Sequence, residues 1–499
     1  MPSIDWGKCQ ECGKCYRVCP GLEVNYSDLY GRRLPVNIFT GNTLKAYIGY
    51  AKDKKVRFNG SSGGVVTSIL INLLKKRLYD YASVVGFKTI TGEEVKSIPT
   101  NDLQQMMFSA KSKYLPVSME DTVSFIKDHP EKRVIVVATP CQIAGIKKFL
   151  LELGLNDKNL LFCGLFCEKT LNMNIIDYYQ KVFGENEEII NDFFFKTKKD
   201  GRWPGHTRIR FNSGREVTIH RRVRMQLKEY FQLHRCVYCI DKLNQLADIS
   251  FGDCYIEGEE SDFGKSNILV RTEKGMNAFK AVNRHLCTKP VRMEAVYESQ
   301  KIDQKNENYY YSVLYSSTNH PIYPGLERLE EELPPTCEDD LKRIQEKIRY
   351  GKEFIEEPDR LYKLLKSDCF EPMKRNILIF EGQLFNKGSQ AMVFTVVNEM
   401  KKRFPDKDIY LISRMDSRRS KEEKEQYNFK IFTSRSYNLT FRNMFKIKTP
   451  WKDKIDREFE EIVERADLAV DISGYKLSSQ FPIDKTKFYL ANIALCKKY

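Results

Sequence analysis

Cys9, Cys12, Cys15 and Cys19, followed by Pro20, spell C-x2-C-x2-C-x3-C-P. This run constrains the chain more than any other feature. Gaps of two residues let one tight loop aim several soft thiolates at a single inorganic centre. The spacing, closed by Cys-Pro, is the one that holds a 4Fe–4S cubane. Zinc is the rival reading. Zinc sites, however, divide their ligands between two separated knuckles, so four cysteines this close favour iron and sulfide.

The run also sets an arithmetic. In two-cluster proteins built on it, the fourth cysteine ligates the other cluster. Only one such run is present. Cys9, Cys12 and Cys15 then need one distant thiolate, and Cys19 needs three. Cys141, Cys167, Cys236 and Cys239 are the candidates, which gives an expectation of two 4Fe–4S clusters.

The 499 residues are enough for two to four domains. The first residues, Met-Pro-Ser-Ile-Asp-Trp, are too polar for a signal peptide. No apolar run reaches the length of a membrane span, and Val134–Ala138 and Asn376–Phe380 read as buried strands. Fourteen cysteines without an export signal argue against a disulfide framework. They suit metal ligation in a reducing cytoplasm. The net charge of +15 fits acidic redox partners, polyanionic cofactors, glycans or simply a solvated basic surface. No nucleic-acid module is recognisable, and Arg221-Arg222-Val-Arg224 alone does not make one, so nucleic acid is not expected as a partner. The oligomeric state stays open.

Along the chain, residues 1–35 form the cysteine segment. From Ala46 the pattern alternates between strands and helices, the signature of an α/β layer. Val65–Leu78 and Pro140–Leu153 read as helices, and Tyr81–Lys88, Arg133–Ala138 and Asn159–Phe166 as strands. Phe193–Thr197 and Thr207–Arg215 add strands, with a turn at Asn212–Gly214. Residues 36–310 are taken as one oxidoreductase domain and residues 311–374 as a charged helical linker containing Glu338–Tyr350. A second α/β unit opens at Asn376, with strand Ile377–Phe380, helix Gln390–Arg403 and strand Asp408–Ser413.

Several motifs carry chemistry. Gly60, Ser61, Ser62, Gly63 and Gly64 precede a helix. Small residues let backbone approach an anion, and a helix start offers free N–H groups, which suits a flavin or nucleotide phosphate. An ordinary loop and helix cap is the alternative. Ser109, Ser112, Lys113 and Tyr114 combine hydroxyls, an ammonium and a ring that can hold phosphate and stack; a plain surface loop is the alternative. Cys141 lies at a strand-to-helix junction that favours thiolate. Without a partner histidine it reads as a ligand rather than a nucleophile. Cys163 and Cys167 end the next strand, where sites of open sheets gather, and one of them is a structural core cysteine. Cys236 and Cys239 make a second C-x2-C and lead into Asp248 and Asp253, which orient a cofactor or cap a turn.

Taken in order, Gly60-Ser-Ser-Gly-Gly, Ser109-Ala-Lys-Ser-Lys-Tyr, Thr139-Pro-Cys-Gln-Ile-Ala-Gly, Gly164-Leu-Phe-Cys, Trp203-Pro-Gly and Arg235-Cys-x-x-Cys…Ala-Asp-Ile-Ser-Phe-Gly-Asp resemble the coenzyme F420 hydrogenase/dehydrogenase beta-subunit family over roughly residues 1–300. The resemblance implies a flavin, FAD with FMN as the alternative, beside 4Fe–4S clusters. It implies electron transfer to or from a deazaflavin, coenzyme F420, or another acceptor or redox partner protein. Its flavin segments fall on Gly60–Gly64 and Ser109–Tyr114, and its cluster cysteines on Cys141, Cys167, Cys236 and Cys239. Cys163 and Cys254 depart from the pattern and leave the ligand choice open. On this reading Gly63→Val should lose flavin and keep iron.

Residues 375–499 differ. Asn376-Ile-Leu-Ile-Phe…Asn386-Lys-Gly-Ser-Gln-Ala-Met392, Phe404-Pro-Asp and Ala466-Asp-Leu-Ala-Val-Asp-Ile-Ser-Gly474 resemble the first half of a polysaccharide pyruvyl transferase. That implies one Rossmann-like lobe of a glycosyltransferase-like fold, with a glycan as candidate substrate. The pattern stops in a helical stretch at Thr486–Tyr499, so the expectation is that this chain cannot transfer pyruvate by itself. The sequence thus predicts an α/β protein with added α+β elements: a ferredoxin-like segment, an α/β flavin domain and a partial transferase lobe. The expected activity is iron–sulfur flavoprotein oxidoreduction, with a role in polysaccharide synthesis suggested by the fusion. The alternative is a glycan-assembly protein whose clusters are structural.

Overall fold

The computed structural model describes residues 5–31, 34–86, 95–199, 203–316, 319–326, 336–356, 376–380, 382–405, 407–413, 415–432, 462 and 466–472. The chain divides into two compact units, 1–370 and 371–499.

The first unit is organised by an eight-stranded mixed sheet. Its strands are β1 (Lys45–Ala51), β2 (Tyr81–Val85), β3 (Ser97–Thr100), β4 (Val134–Ala138), β5 (Leu160–Leu165), β9 (Ile249–Asp253), β10 (Ser266–Val270) and β11 (Leu286–Pro290), in the order β11-β1-β10-β9-β5-β4-β2-β3. One half is parallel: β2, β4, β5 and β9 run together. The other half, β9, β10, β1 and β11, is antiparallel. Val134-Ile-Val-Val-Ala138 is apolar on both faces because helices cover both sides of a parallel sheet. A separate antiparallel sheet joins β6 (Ile190–Thr197), β7 (His206–Phe211) and β8 (Glu216–Ile219), with Gly214 at φ +88° turning the chain between the last two. The expected strand Thr207–Arg215 therefore closes at Phe211.

The helix Pro140–Glu152 starts where it does for two local reasons. Pro140 occupies the first helical position, and Gln142 Oε1 accepts from the Thr139 N–H at 2.9 Å, half of a capping box. Helices Lys305–Ser316 and Cys337–Glu356 pack Tyr309, Tyr311, Leu341 and Ile348 into one core with Val24, Tyr26 and Leu29 of the N-terminal segment. These two helices, which reach into the stretch expected to be a linker, thus join the core of the first unit by their apolar stripes. Residues 357–375 lie outside the described residues, as do Gly474 and Thr486–Tyr499.

The second unit contains an all-parallel sheet, β14-β13-β12-β15, from β12 (Asn376–Phe380), β13 (Asp408–Ile412), β14 (Lys430–Phe432) and β15 (Ala466–Asp471), with the helix Lys387–Arg403 beside it. Among the described residues no helix is long and apolar enough to cross a membrane.

Candidate functional site

Two thiols leave the same edge of the sheet. β4 and β5 are parallel neighbours, with Ala138 opposite Gly164, so Thr139-Pro-Cys141 and Phe166-Cys167 both emerge from carboxyl ends, the edge where sites of such sheets collect. The segment 233–245 folds over that edge. Asn244 Nδ2 donates to Ala138 O at 2.9 Å and Leu165 O at 3.2 Å, and the Cys167 N–H donates to Lys242 O at 2.9 Å. Leu233 N–H donates to Thr170 O, and the Thr170 N–H points at Cys236 Sγ at 3.4 Å. Cys236 and Cys239 sit on and just after the 3-10 turn His234–Tyr238.

The four thiols interact electrically. Burial raises the Cys141, Cys167 and Cys236 pKa values, Cys236 to about 12, and every pair among Cys141, Cys167, Cys236 and Cys239 adds to the rise. Cys141 is open to solvent by accessible area, yet protein surrounds it at longer range, so its thiol is reachable while its electrostatics are those of an interior group. Two cations face this set. Lys305 lies near Cys167 and Cys236, and Arg235 near Cys141 and Cys239. Such a set binds a metal centre with release of protons. Among the described residues no three or more His, Cys, Asp or Glu side chains gather at single-ion spacing. A cubane carries its thiolates on four separate irons, so it spreads its ligands wider than one ion does, and four mutually coupled thiols flanked by cations fit that group.

The first cysteine run is a surface loop. Cys9, Cys12 and Cys15 are exposed and Cys19 half-buried. Glu11 and Gly13 turn the loop with positive φ, and the Glu11 N–H points at Cys9 Sγ at 3.4 Å. The loop is held to the helix Pro140–Glu152. Arg17 pairs with Glu152 at 2.8 Å, Lys148 donates to Cys19 O at 3.3 Å and Glu23 O at 3.0 Å, and a Cβ on Gly145 would touch Pro20.

The two expected flavin segments meet. Ser61 Oγ accepts from Ser112 N at 2.6 Å and from Ser112 Oγ at 2.9 Å. Beside them lies a group of buried basic side chains, termed the basic cleft, that sequence reasoning missed. Lys198 donates to Arg57 O at 2.8 Å and Ser62 O at 2.5 Å. Lys111 lies over the Phe194 ring, and Lys196 pairs with Asp253 at 2.7 Å near Tyr114. Burial and then neighbouring cations lower Lys113 and Lys198 to about 7. Lys113 is tied to its own loop, donating to Ser109 O and Ala110 O. Buried cations gathered this closely suit an anionic ligand. Lys196-Thr-Lys198-Lys199 was the readable signal, hidden by following Phe193-Phe-Phe195.

Several expectations change. The glycines of 60–64 are required by the protein itself. A Cβ on Gly63 would stand 2.5 Å from Gly49 O, and one on Gly64 2.6 Å from Val56 O. Gly63→Val therefore tests the fold before it tests a ligand. Asp248 is structural, accepting from Phe162 N at 2.9 Å and from Thr272 Oγ1 at 2.6 Å, whereas Asp253 belongs to the cleft. Cys163 is fully buried on β5, and it and Cys254 couple to carboxylates or Lys265 rather than to the thiol set, so Cys167 is the member brought together with the others. In the second unit the Asn386 side chain caps its own helix, accepting from Gly388 N at 2.9 Å and Ser389 N at 3.4 Å.

Parts of the chain are similar to known proteins. The chain is 26% identical over 314 residues to the coenzyme F420-dependent sulfite reductase of Methanocaldococcus jannaschii, covering 56% of this chain and 46% of that protein. It is 27% identical over 246 residues to the F420-dependent formate dehydrogenase 1 subunit beta of Methanococcus maripaludis, covering 47% of this chain and 58% of that protein. The chain thus spans about half the length of these relatives. A chain of the F420-reducing [NiFe] hydrogenase complex from Methanosarcina barkeri aligns with a TM-score of 0.40 at 18% identity, covering 64% of this chain and 94% of that one. Residues 46–124 match the profile for the coenzyme F420 hydrogenase/dehydrogenase beta subunit N-term and residues 131–332 that for its C terminus. With the two profiles met in order, the chain belongs to the coenzyme F420 hydrogenase/dehydrogenase beta-subunit family.

Proposed function

We propose that the chain is an iron–sulfur flavoprotein oxidoreductase that passes electrons between two 4Fe–4S clusters and a flavin, to or from a deazaflavin such as coenzyme F420 or another acceptor. The observation that carries this is the coupled four-thiol set beyond the carboxyl ends of β4 and β5, with Asp253, at the carboxyl end of the neighbouring parallel strand β9, paired to Lys196 of the basic group. Family membership and the F420-dependent relatives support it. A flavin takes electrons singly from clusters and passes a hydride onward, which joins the two kinds of chemistry.

The protein's own part is positional. Cys141, Cys167, Cys236 and Cys239 lie close enough to couple, Cys167 with all three others. This supports reading them as one ligand set, with Cys9, Cys12, Cys15 and Cys19 holding the other cluster, beside the exchange of ligands expected from the sequence. Ser61, Ser112, Lys113 and Lys198 bind the flavin's phosphate groups, and Tyr114 sits where a ring can stack. Anaerobic purification with iron, sulfide and flavin analysis tests this. About eight irons and one flavin per chain, bleached reversibly by dithionite, are expected. A colourless chain refutes it.

For the second unit, the all-parallel sheet and the capped helix Lys387–Arg403 support the reading as one transferase-like lobe. A glycan substrate is the corresponding proposal. Glycan-array binding by the full chain, lost on deleting residues 375–499, is the measurement.

A further inference from the structure

Arg235 stands between the two cysteine sets. Its Nε donates to Gly21 O at 2.8 Å, two residues beyond Cys19. The position a Cβ on Gly21 would take lies 3.4 Å from Cys19 Sγ. On its other side the guanidinium rests over the Tyr323 ring, 5.4 Å from its centroid, with Nη1 3.5 Å from the Tyr323 hydroxyl. Tyr323 is itself fixed, donating to Tyr238 O at 3.0 Å and accepting from the Ile240 N–H at 3.2 Å, so it braces the backbone on both sides of Cys239. Among the described residues no carboxylate pairs with Arg235. Burial alone would lower its pKa, yet Tyr323, Cys239 and Cys141 raise it. The groups that face this cation are the Tyr323 phenol and the thiols of Cys239 and Cys141.

We propose that Arg235 is a positioning residue that holds the N-terminal cysteine run against the second thiol set and, by its fixed positive charge, raises the reduction potential of the cluster bound there. The inference rests on the iron–sulfur reading above. One-electron reduction adds a negative charge to a cluster, and an adjacent cation stabilises the reduced form more than the oxidised one. Arginine suits this place because it stays charged and its planar fork serves a carbonyl and a ring at once. The same side chain fixes the distance the electron must cross.

The test uses the full chain, reconstituted anaerobically with iron and sulfide, as wild type, Arg235→Met and Arg235→Lys. Redox titration followed by EPR reads the potential. Hydrogen exchange at the Cys19 and Val24 amides reads the tether. Val24 N–H is bonded to Ile322 O and reports whether the segment stays docked. For Arg235→Met the ratio of reduced to oxidised second cluster at a fixed potential should fall about tenfold, which is 59 mV for a one-electron couple. Exchange should quicken about tenfold. Arg235→Lys should recover the potential but not the protection, because an ammonium facing the thiols cannot also reach Gly21. A wild type with full iron whose Arg235→Met variant leaves either readout unmoved overturns the proposal. If Arg235→Met does not fold, Arg235→Lys decides: unchanged exchange overturns it. A wild type that takes up no iron overturns the iron–sulfur reading, and this inference with it.

Discussion

Lys198→Met converts the basic cleft into a number. Lys198 is 5% exposed, and its ammonium is solvated only by the Arg57 and Ser62 carbonyls. Burial, then the Arg57 charge, lowers its pKa from 10.5 to about 7. At about 1.4 kcal/mol per tenfold, that corresponds to roughly 4–5 kcal/mol of folding free energy spent on a charged lysine at low pH. The unfolded chain holds this proton more tightly than the folded chain. Stability should therefore rise with pH between about 7 and 10.5, by at most about 1.4 kcal/mol per pH unit, and the penalty is complete below 7. Methionine removes the titration but leaves two carbonyls without their donor, at about 1–3 kcal/mol each. The absolute change at pH 6.5 should be small. The slope is the observable. Urea unfolding of the flavin-free first unit, followed by tryptophan fluorescence from pH 6.5 to 9, should give a slope about 1 kcal/mol per pH unit lower in Lys198→Met. Lys113 titrates in both proteins and cancels in the difference. Saturating pyrophosphate should flatten the wild-type slope as well, since a bound anion keeps Lys198 protonated. Parallel slopes in wild type and variant would refute the cleft's electrostatics.

Gly63→Ala should destabilise the first unit by about 1–3 kcal/mol in urea, because its Cβ meets Gly49 O and the Ser266 backbone; an unchanged midpoint with selective flavin loss would restore the cradle reading. Cys236→Ser with Cys239→Ser should halve the iron after anaerobic reconstitution and spare the other cluster's EPR signal, whereas loss of both signals would mean shared ligands. Cys163→Ala should leave iron content unchanged while lowering thermal stability, as expected for a core thiol on β5. Arg271→Met should cost about 3 kcal/mol or more by denaturant titration, since Arg271 donates to the Thr40, Asn42 and Leu243 carbonyls, which would all lose their partner.

The parallel half of the main sheet was legible because β4 and β5 are continuous apolar runs ending in distinctive Cys-bearing turns. The antiparallel half was not. β1, β10 and β11 carry mixed polar residues such as Asn267 and Lys289, and β1 meets β10 and β11 from more than two hundred residues away in sequence. The cysteines proposed as ligands were offered by two C-x2-C spacings, by strand ends and by the family resemblance, whereas that Cys141 and Cys167 share an edge is shown only by the fold. The cleft was illegible for a different reason. Lys196 and Lys198 read as ordinary surface charge on a strand, and only the fold reveals that burial strips them of water. The glycines were found, but a second reason for them was not legible, because a sequence does not show which backbone a missing Cβ would strike.

All eight cysteines proposed as ligands lie outside the strands, in loops, a 3-10 turn and the first turns of helices, while the sheet is closed by apolar cores and by buried polar groups that bond to the protein itself. Assembly can therefore run in a fixed order. On the iron–sulfur reading proposed above, the scaffold can be completed by translation and collapse without iron, and the inorganic parts delivered afterwards to loop cysteines that range from exposed to half-buried. A cell short of iron would then accumulate a folded, refillable precursor instead of misfolded waste, and damage by oxygen would be repaired by reloading rather than by resynthesis.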